Sequence, residues 1–221
     1  MAAGESSQPS PAPAGIVCLD PGHASTPYEI DPETGLNTSD WANEPEITIV
    51  WDIACRTAAL LKGSGVQVVL TKSRADDPVN LKQRAIVANG SGAAMIVHIH
   101  TDPGISSATT FYPGAAPYDW KANSDSGRKA HIAPGVQQAS VSAAATFHQG
   151  MSGSLAAAGI AAGGLRMENR GSTGTGNYGP LLSYDVWSAV PTFTVENNQA
   201  FADAHREAVA RSIAAGILAA L

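Results

Sequence analysis

The chain has 221 residues, with 13 Lys or Arg against 19 Asp or Glu and a formal net charge of −6. This length fits one domain able to close its own core, and an acidic balance with no Lys/Arg run argues against nucleic acid and anionic membrane as main partners. No apolar stretch reaches the ~18–20 residues that span a bilayer, and two cysteines, Cys18 and Cys55, cannot form a disulfide scaffold.

Residues 1–14 are Ser, Pro, Ala and Gly with little else, the composition of a linker that cannot order itself. They lack the basic and apolar regions of a signal peptide. Two readings fit, a cytoplasmic protein with an unordered start or a secreted or cell-envelope protein whose signal has been removed; a Pro/Ser spacer ahead of a fold favours the second, and that location is expected here.

From residue 15 onwards strand and helix signals alternate. Ile16 to Leu19 is a short apolar run ended by Asp20-Pro21-Gly22, a buried strand meeting a turn. Residues 46–62 place Ile47, Val50, Trp51, Ile53, Ala54, Leu60 and Leu61 near helical spacing, and Gly63-Ser64-Gly65 stops them. Val66 to Leu70 is a second strand, Leu81 to Ala88 a short helix, and Ala94 to His100 a third strand. Thr109 to Tyr112 reads as a fourth strand, residues 136–161 as a long Ala-rich helix, Pro191 to Val195 as a strand, and 200–221 as the closing helix. The alternation predicts a single α/β domain over 15–221, with a mixed, mostly parallel sheet flanked by helices on both faces.

Ligands of such sheets collect beyond the C-terminal ends of the strands. Three predicted strands end in groups able to bind or act: Asp20-Pro21-Gly22-His23, His100-Thr101-Asp102 and Glu196-Asn197-Asn198. Glu46 stands where the first long helix begins. Two histidines and a carboxylate make an open zinc site, with the fourth position left for water. A further carboxylate outside the ligand set would take the proton from that water. On spacing alone, His23 also fits an ordinary surface histidine, and Glu46 a carboxylate drawn to a helix start by the macrodipole.

Leu19-Asp20-Pro21-Gly22-His23 resembles the LDPGH strand-to-loop motif of the zinc-dependent N-acetylmuramoyl-L-alanine amidases of the Amidase_3 type. The likeness continues in order. Glu46 with Ile53-Ala54 resembles the family's glutamate opening the first helix, and Val69-Leu70-Thr71-Lys72 its VLTR strand. Leu81, Arg84 and Ala88-Asn89 resemble its L-x-x-R-x-x-x-A-N helix, Ile96 to His100 the strand ending S-I-H, and Pro191 to Glu196 the P-x-x-x-V-E strand. The resemblance covers essentially the whole fold. It implies that His23, Glu46 and His100 bind zinc and that Glu196 is the catalytic glutamate. The implied reaction cleaves the amide between the lactyl group of N-acetylmuramic acid and L-alanine of the stem peptide, so peptidoglycan or a muropeptide is the implied partner. A monomer is expected. Two other readings stay open: a wall-binding module that keeps the fold without the chemistry, and a zinc peptidase cutting within the stem peptide. The second would leave alanine on the sugar.

Ala24-Ser25 follow His23 where the family often has two glycines, and residues 24–45 are polar, resembling a variable loop at a groove. Glu44 competes with Glu46 for the ligand role. Glu46 is favoured by its spacing to Ala54 and by Pro45, which suits a first helical position and places Glu44 outside the helix. Asp20 and Asp102 are expected to be turn or supporting groups. Residues 174–179 satisfy G-x-G-x-x-G, but no apolar strand precedes them and Pro180 follows, so they do not form a dinucleotide loop. With Arg166, Asn169 and Arg170 they read as a polar loop where the family contacts substrate, either arginine suiting a stem-peptide carboxylate. Cys18 and Cys55 read as small buried apolar residues. His98 and His100 share one face of a strand, about 6.6–6.8 Å apart along it, so an H-x-H chelate is conceivable. In the family only the later histidine binds metal, and His98 is expected to be a buried, hydrogen-bonded neighbour of the site.

Overall fold

The computed structural model describes residues 15–41, 43–105, 107–115, 131–168 and 185–221. The expected linker at 1–14, Asn169, Arg170 and the 174–179 stretch lie outside the described residues.

Strand β1 (Ile16–Pro21) is buried along nearly its whole length, as befits an apolar run inside a parallel sheet. Helix α1 (Glu44–Gly63) follows, with Asn43 at its N-cap, and turns Ile47, Val50, Ile53, Ala54, Ala58 and Leu61 inward. It begins two residues before the expected 46, so Glu44 is inside the helix rather than outside it and Pro45 is its second residue. Proline is tolerated there because first-turn N–H groups have no helical partner. Strand β2 (Gln67–Leu70) leads to α2 (Leu81–Ser91). Asn80 and Gln83 cap α2 reciprocally, and Gly92 closes it in the left-handed conformation.

Strand β3 (Met95–Asp102) is the central buried strand. Strand β4 (Thr109–Pro113), helix α3 (Pro134–Ala157), strand β5 (Leu165–Glu168) and strand β6 (Thr192–Asn198) complete the sheet. The sheet order is β2-β1-β3-β6-β4-β5, with β4 antiparallel to β6 and all other neighbours parallel. The expected closing helix at 200–221 is instead two helices, α4 (Gln199–Ala204) and α5 (Arg206–Ala220), broken at His205.

Side chains alternate across the sheet, and the two faces differ. Leu19, Val97, Ile99, Phe193 and Val195 belong to the large core with residues of α1, α3 and α5. A Cβ on Gly216 of α5 would lie 2.7 Å from the Phe147 ring of α3, so that helix crossing requires glycine. On the other face, Cys18 and Ile96 pack with Ala88 of α2 in a small second cluster. Cys18 thus faces α2 while Cys55 lies on α1, and both are free thiols. The two ends of the described fold meet: a Cβ on Gly15 would lie 3.4 Å from Leu221 Cδ2.

Candidate metal centre

The face that carries Cys18 and Ile96 turns polar toward the strand C-termini. Register places Asp20 beside His98, His98 beside Thr194, and His100 beside Glu196. Residues paired in register share a face, so Asp20, His98, His100 and Glu196 all project to the same side.

His23 lies two residues past the end of β1, Glu46 lies in the first turn of α1, and His100 is near the end of β3. One ligand atom from each lies within 4.8 Å of the other two, and all three residues are buried. His23 Nε2 is 3.1 Å from Glu46 Oε2, and His100 Nδ1 is 3.2 Å from Glu46 Oε1. The two imidazoles meet edge to face with centroids 5.0 Å apart. Zinc bonds of about 2.0–2.1 Å at tetrahedral angles hold donor atoms about 3.3–3.4 Å apart. The two nitrogen–carboxylate separations lie close to this, one to each Glu46 oxygen, and the two-histidine, one-carboxylate donor set suits such an ion. Glu44, the competing carboxylate, is exposed, whereas Glu46 is buried.

Glu46 and His23 are also held from outside the set. Glu46 Oε1 accepts the Thr101 backbone N–H at 2.7 Å, and Oε2 accepts Asn43 Nδ2 at 2.8 Å. Burial alone would raise the Glu46 pKa, but hydrogen bonds from His100 and His23 hold it well below the ordinary carboxylate range. His23 Nδ1 lies 3.3 Å from Asp40 Oδ1. Burial would lower the His23 pKa, yet Asp40 and Glu46 together raise it to about 9. For His100 burial prevails and lowers the pKa.

Local backbone chemistry explains why Gly22-His23 appears here. A Cβ on residue 22 would fall 2.3 Å from His100 Cε1, so only glycine lets β1 pass under that ring. His23 itself has φ +58°, the left-handed region, and is the sole described non-glycine residue with positive φ. Such a residue needs support. Lys72, buried after β2, donates its Nζ to the carbonyls of Gly22, at 3.0 Å, and of His23. Burial, aided by Arg84, lowers the Lys72 pKa to about 8.

Arg84 of α2 is fully buried and ties the floor of the site together. Its Nη1 donates to Asp20 Oδ1 at 2.9 Å and to the Pro21 carbonyl at 3.0 Å, and Nη2 donates to Asp40 Oδ2 at 2.8 Å. Asp20 also accepts from Thr71 Oγ1 and contacts His98 Nδ1 at 2.7 Å. Although burial opposes it, Arg84 and His98 hold the Asp20 pKa far down. His98 Nε2 lies 2.9 Å from Thr192 Oγ1, so both ring nitrogens are engaged away from the three donors. Asp102 holds a turn, accepting the Gly104 N–H at 2.5 Å.

Glu196 is buried on β6 directly beside His100 in register, outside the three-donor set. Arg166 is exposed on β5, where register through Phe111 and Thr194 places it on the Glu196 face. Asn169 and Arg170 lie outside the described residues. Sequence reading missed Asp40, Lys72 and the anchoring part played by Arg84. A signal for the last existed: Arg84 shares the inner helical face with Leu81, Ala85 and Ala88, where a charge must find carboxylates.

A family model described as N-acetylmuramoyl-L-alanine amidase, Amidase_3, matches residues 17–220. No curated protein sequence gives a significant match. Among solved structures, the fold is similar to an N-acetylmuramyl-L-alanine amidase from Mycobacterium smegmatis, with 21% identity and a TM-score of 0.64 over 95% of this chain and 97% of that one. It is also similar to an N-acetylmuramoyl-L-alanine amidase from Clostridium difficile 630, with 22% identity and a TM-score of 0.57 over 94% and 96% of the two chains. The catalytic domain of an amidase from Bacillus (Paenibacillus) polymyxa gives 22% identity and a TM-score of 0.56 over 92% and 96%. The solved structures speak for the sheet and its helices; the family match, running from the second residue of β1 to the end of α5, decides descent, and the chain belongs to the Amidase_3 family of N-acetylmuramoyl-L-alanine amidases.

Proposed function

We propose that the protein is a zinc-dependent amidase that hydrolyses the bond between N-acetylmuramic acid and L-alanine of the peptidoglycan stem peptide, acting in the cell envelope or outside the cell. The observation that carries this reading is the convergence of His23, Glu46 and His100 beside Glu196, at the C-terminal ends of three adjacent parallel strands and the start of α1.

His23, Glu46 and His100 would hold the metal. Zinc, when bound, supplies Lewis acidity for the carbonyl oxygen and lowers the pKa of water. Glu196, one strand across from His100, would take a proton from the attacking water and return it to the departing alanine nitrogen. The Thr101 N–H and Asn43 amide keep the Glu46 carboxylate oriented, and Asp40 fixes the His23 ring so that Nε2 faces inward. Arg166 suits a carboxylate of the stem peptide, and Arg170 and Asn169 are proposed to act with it.

Digestion of purified peptidoglycan followed by mass spectrometry tests the reading. The expected products are free peptides beginning with L-alanine, and chelation should stop their release. Products that retain alanine on the sugar would make the enzyme a peptidase, and no products would make it a binding module.

A further inference from the structure

Trp41 lies beside the candidate metal centre, and nothing in the chemistry above uses it. Its ring is edge-on to the His23 imidazole with centroids 4.7 Å apart, yet the residue is 53% exposed. An exposed tryptophan alone needs no explanation. This one is held in place from behind. Its backbone N–H donates to Asp40 Oδ1 at 2.9 Å, and Arg84 grips the other oxygen of the same carboxylate at 2.8 Å. Asp40 in turn donates its N–H to Thr26 Oγ1 at 2.7 Å, and its carbonyl accepts the Thr26 N–H at 3.1 Å, which closes the base of the 26–40 loop. Trp41 therefore sits at a clamped loop root rather than at a loop tip.

The strand order gives the site a direction. His23 follows β1, His100 is on β3 and Glu196 is on β6, so the glutamate lies toward β6, while Trp41 packs on His23, the histidine that β1 delivers. Strands β1 and β6 are two spacings apart, about 10 Å. The leaving nitrogen has to come within hydrogen-bond reach of Glu196 to receive its proton. The peptide half then leaves over β6, β4 and β5, and the acyl half extends the other way, past His23 to Trp41. For this amide the acyl half is a lactyl ether on a pyranose ring, whose C–H face matches a rigid aromatic surface.

From this we infer that Trp41 is the platform for the N-acetylmuramoyl residue, making it a specificity-determining group for the sugar side of the scissile bond. The inference rests on the amidase reading and gives it an orientation: sugar over β1, peptide over β6 and beyond.

The test is ligand binding by calorimetry to zinc-loaded Glu196→Gln protein, which cannot turn over its ligand on the proposed mechanism. One probe is N-acetylmuramoyl-L-alanyl-D-isoglutamine; the other is N-acetyl-L-alanyl-D-isoglutamine, which keeps the amide and dipeptide but has no sugar. Adding Trp41→Ala should weaken the sugar-bearing probe roughly tenfold, in the range of an aromatic contact with its buried area, and the sugar-free probe less than twofold. Trp41→Leu keeps an apolar cover over His23 without a flat face, and should resemble the alanine variant. Zinc content, measured on the same samples, should stay at the wild-type level in both. Equal weakening of both probes, no weakening of either, full sugar affinity in Trp41→Leu, or zinc loss in both variants would overturn the platform. If wild-type protein frees no L-alanine-terminated peptides from peptidoglycan, the amidase reading itself fails, and that digest is scored independently of the binding data.

Discussion

Replacing Arg84 with methionine should be among the most damaging single changes outside the donor set. The guanidinium is fully buried and bridges Asp20 and Asp40, at 2.9 and 2.8 Å. Methionine fills much of the volume but leaves two carboxylates facing an apolar side chain. Asp20 would keep Thr71 and His98, and Asp40 would keep His23 and the Trp41 N–H, so neither is wholly stranded. Removing one partner of a buried ion pair costs about 3–5 kcal/mol. For a domain of this size each kcal/mol moves the melting temperature by about 2–4 °C, so a fall of roughly 6–20 °C is expected. Thermal unfolding at fixed pH and fixed zinc concentration reads this directly, both held constant because bound metal raises the apparent stability. Arg84→Lys keeps the charge but cannot fork to both carboxylates, and should fall between. Adding Asp40→Asn to Arg84→Met removes one of the two carboxylates that lost the guanidinium, so the double variant should lose less than the sum of the singles. A melting temperature for Arg84→Met within about 2 °C of wild type, or strict additivity with Asp40→Asn, would refute the idea that this arginine holds the floor of the site.

Glu196→Gln should keep its metal, measured by elemental analysis, while hydrolysis falls roughly 10²–10⁴-fold; near-normal turnover would reduce Glu196 to a packing group. His100→Ala should lose metal and His98→Ala should retain it, because the His98 ring nitrogens serve Asp20 and Thr192; equal metal loss in the two would contradict this. Asp31 gives a pH signature away from the site. It accepts from Lys82 Nζ at 2.6 Å, Thr34 Oγ1 at 2.6 Å and Trp187 Nε1 at 3.1 Å, and although burial opposes it these hold its pKa at about 2. That lies below its unfolded value of about 3.9, so the stability it adds is complete above that value and is lost as pH falls through about 2. Asp31→Asn should flatten the loss of stability between about pH 4 and pH 2, and an unchanged slope in acid unfolding would count against it.

The layered α/β plan was legible because its strands are short apolar runs that stop at turn residues, as in Ile16–Leu19 before Asp20-Pro21-Gly22. Strand β5 was not: Leu165–Glu168 alternates apolar and polar residues, but over only four positions with no β-branched or aromatic side chain, and it becomes a strand by pairing with β4. The break at His205 was hidden by helix-forming residues on either side. The strand-end groups could be singled out because the sheet itself dictates where ligands collect. Their supports could not, because Arg84 meets Asp40 and Asp20 across 44 and 64 positions of chain. Asp40 looked like one more polar loop residue until its loop was seen to close onto Thr26.

The meeting of Gly15 and Leu221 bears on how the protein can be attached to other things. Gly15 and Leu221 lie at the start of β1, and the reactive groups lie past its far end; a strand of six residues separates them by about 20 Å. Cargo, a surface anchor or a wall-affinity module joined directly at Gly15 or after Leu221 would therefore start at the end of the sheet away from the groove. Joining Leu221 to Gly15 by a short linker asks for little new geometry, so circular permutation of the described fold offers a way to move the point of attachment without touching the catalytic face.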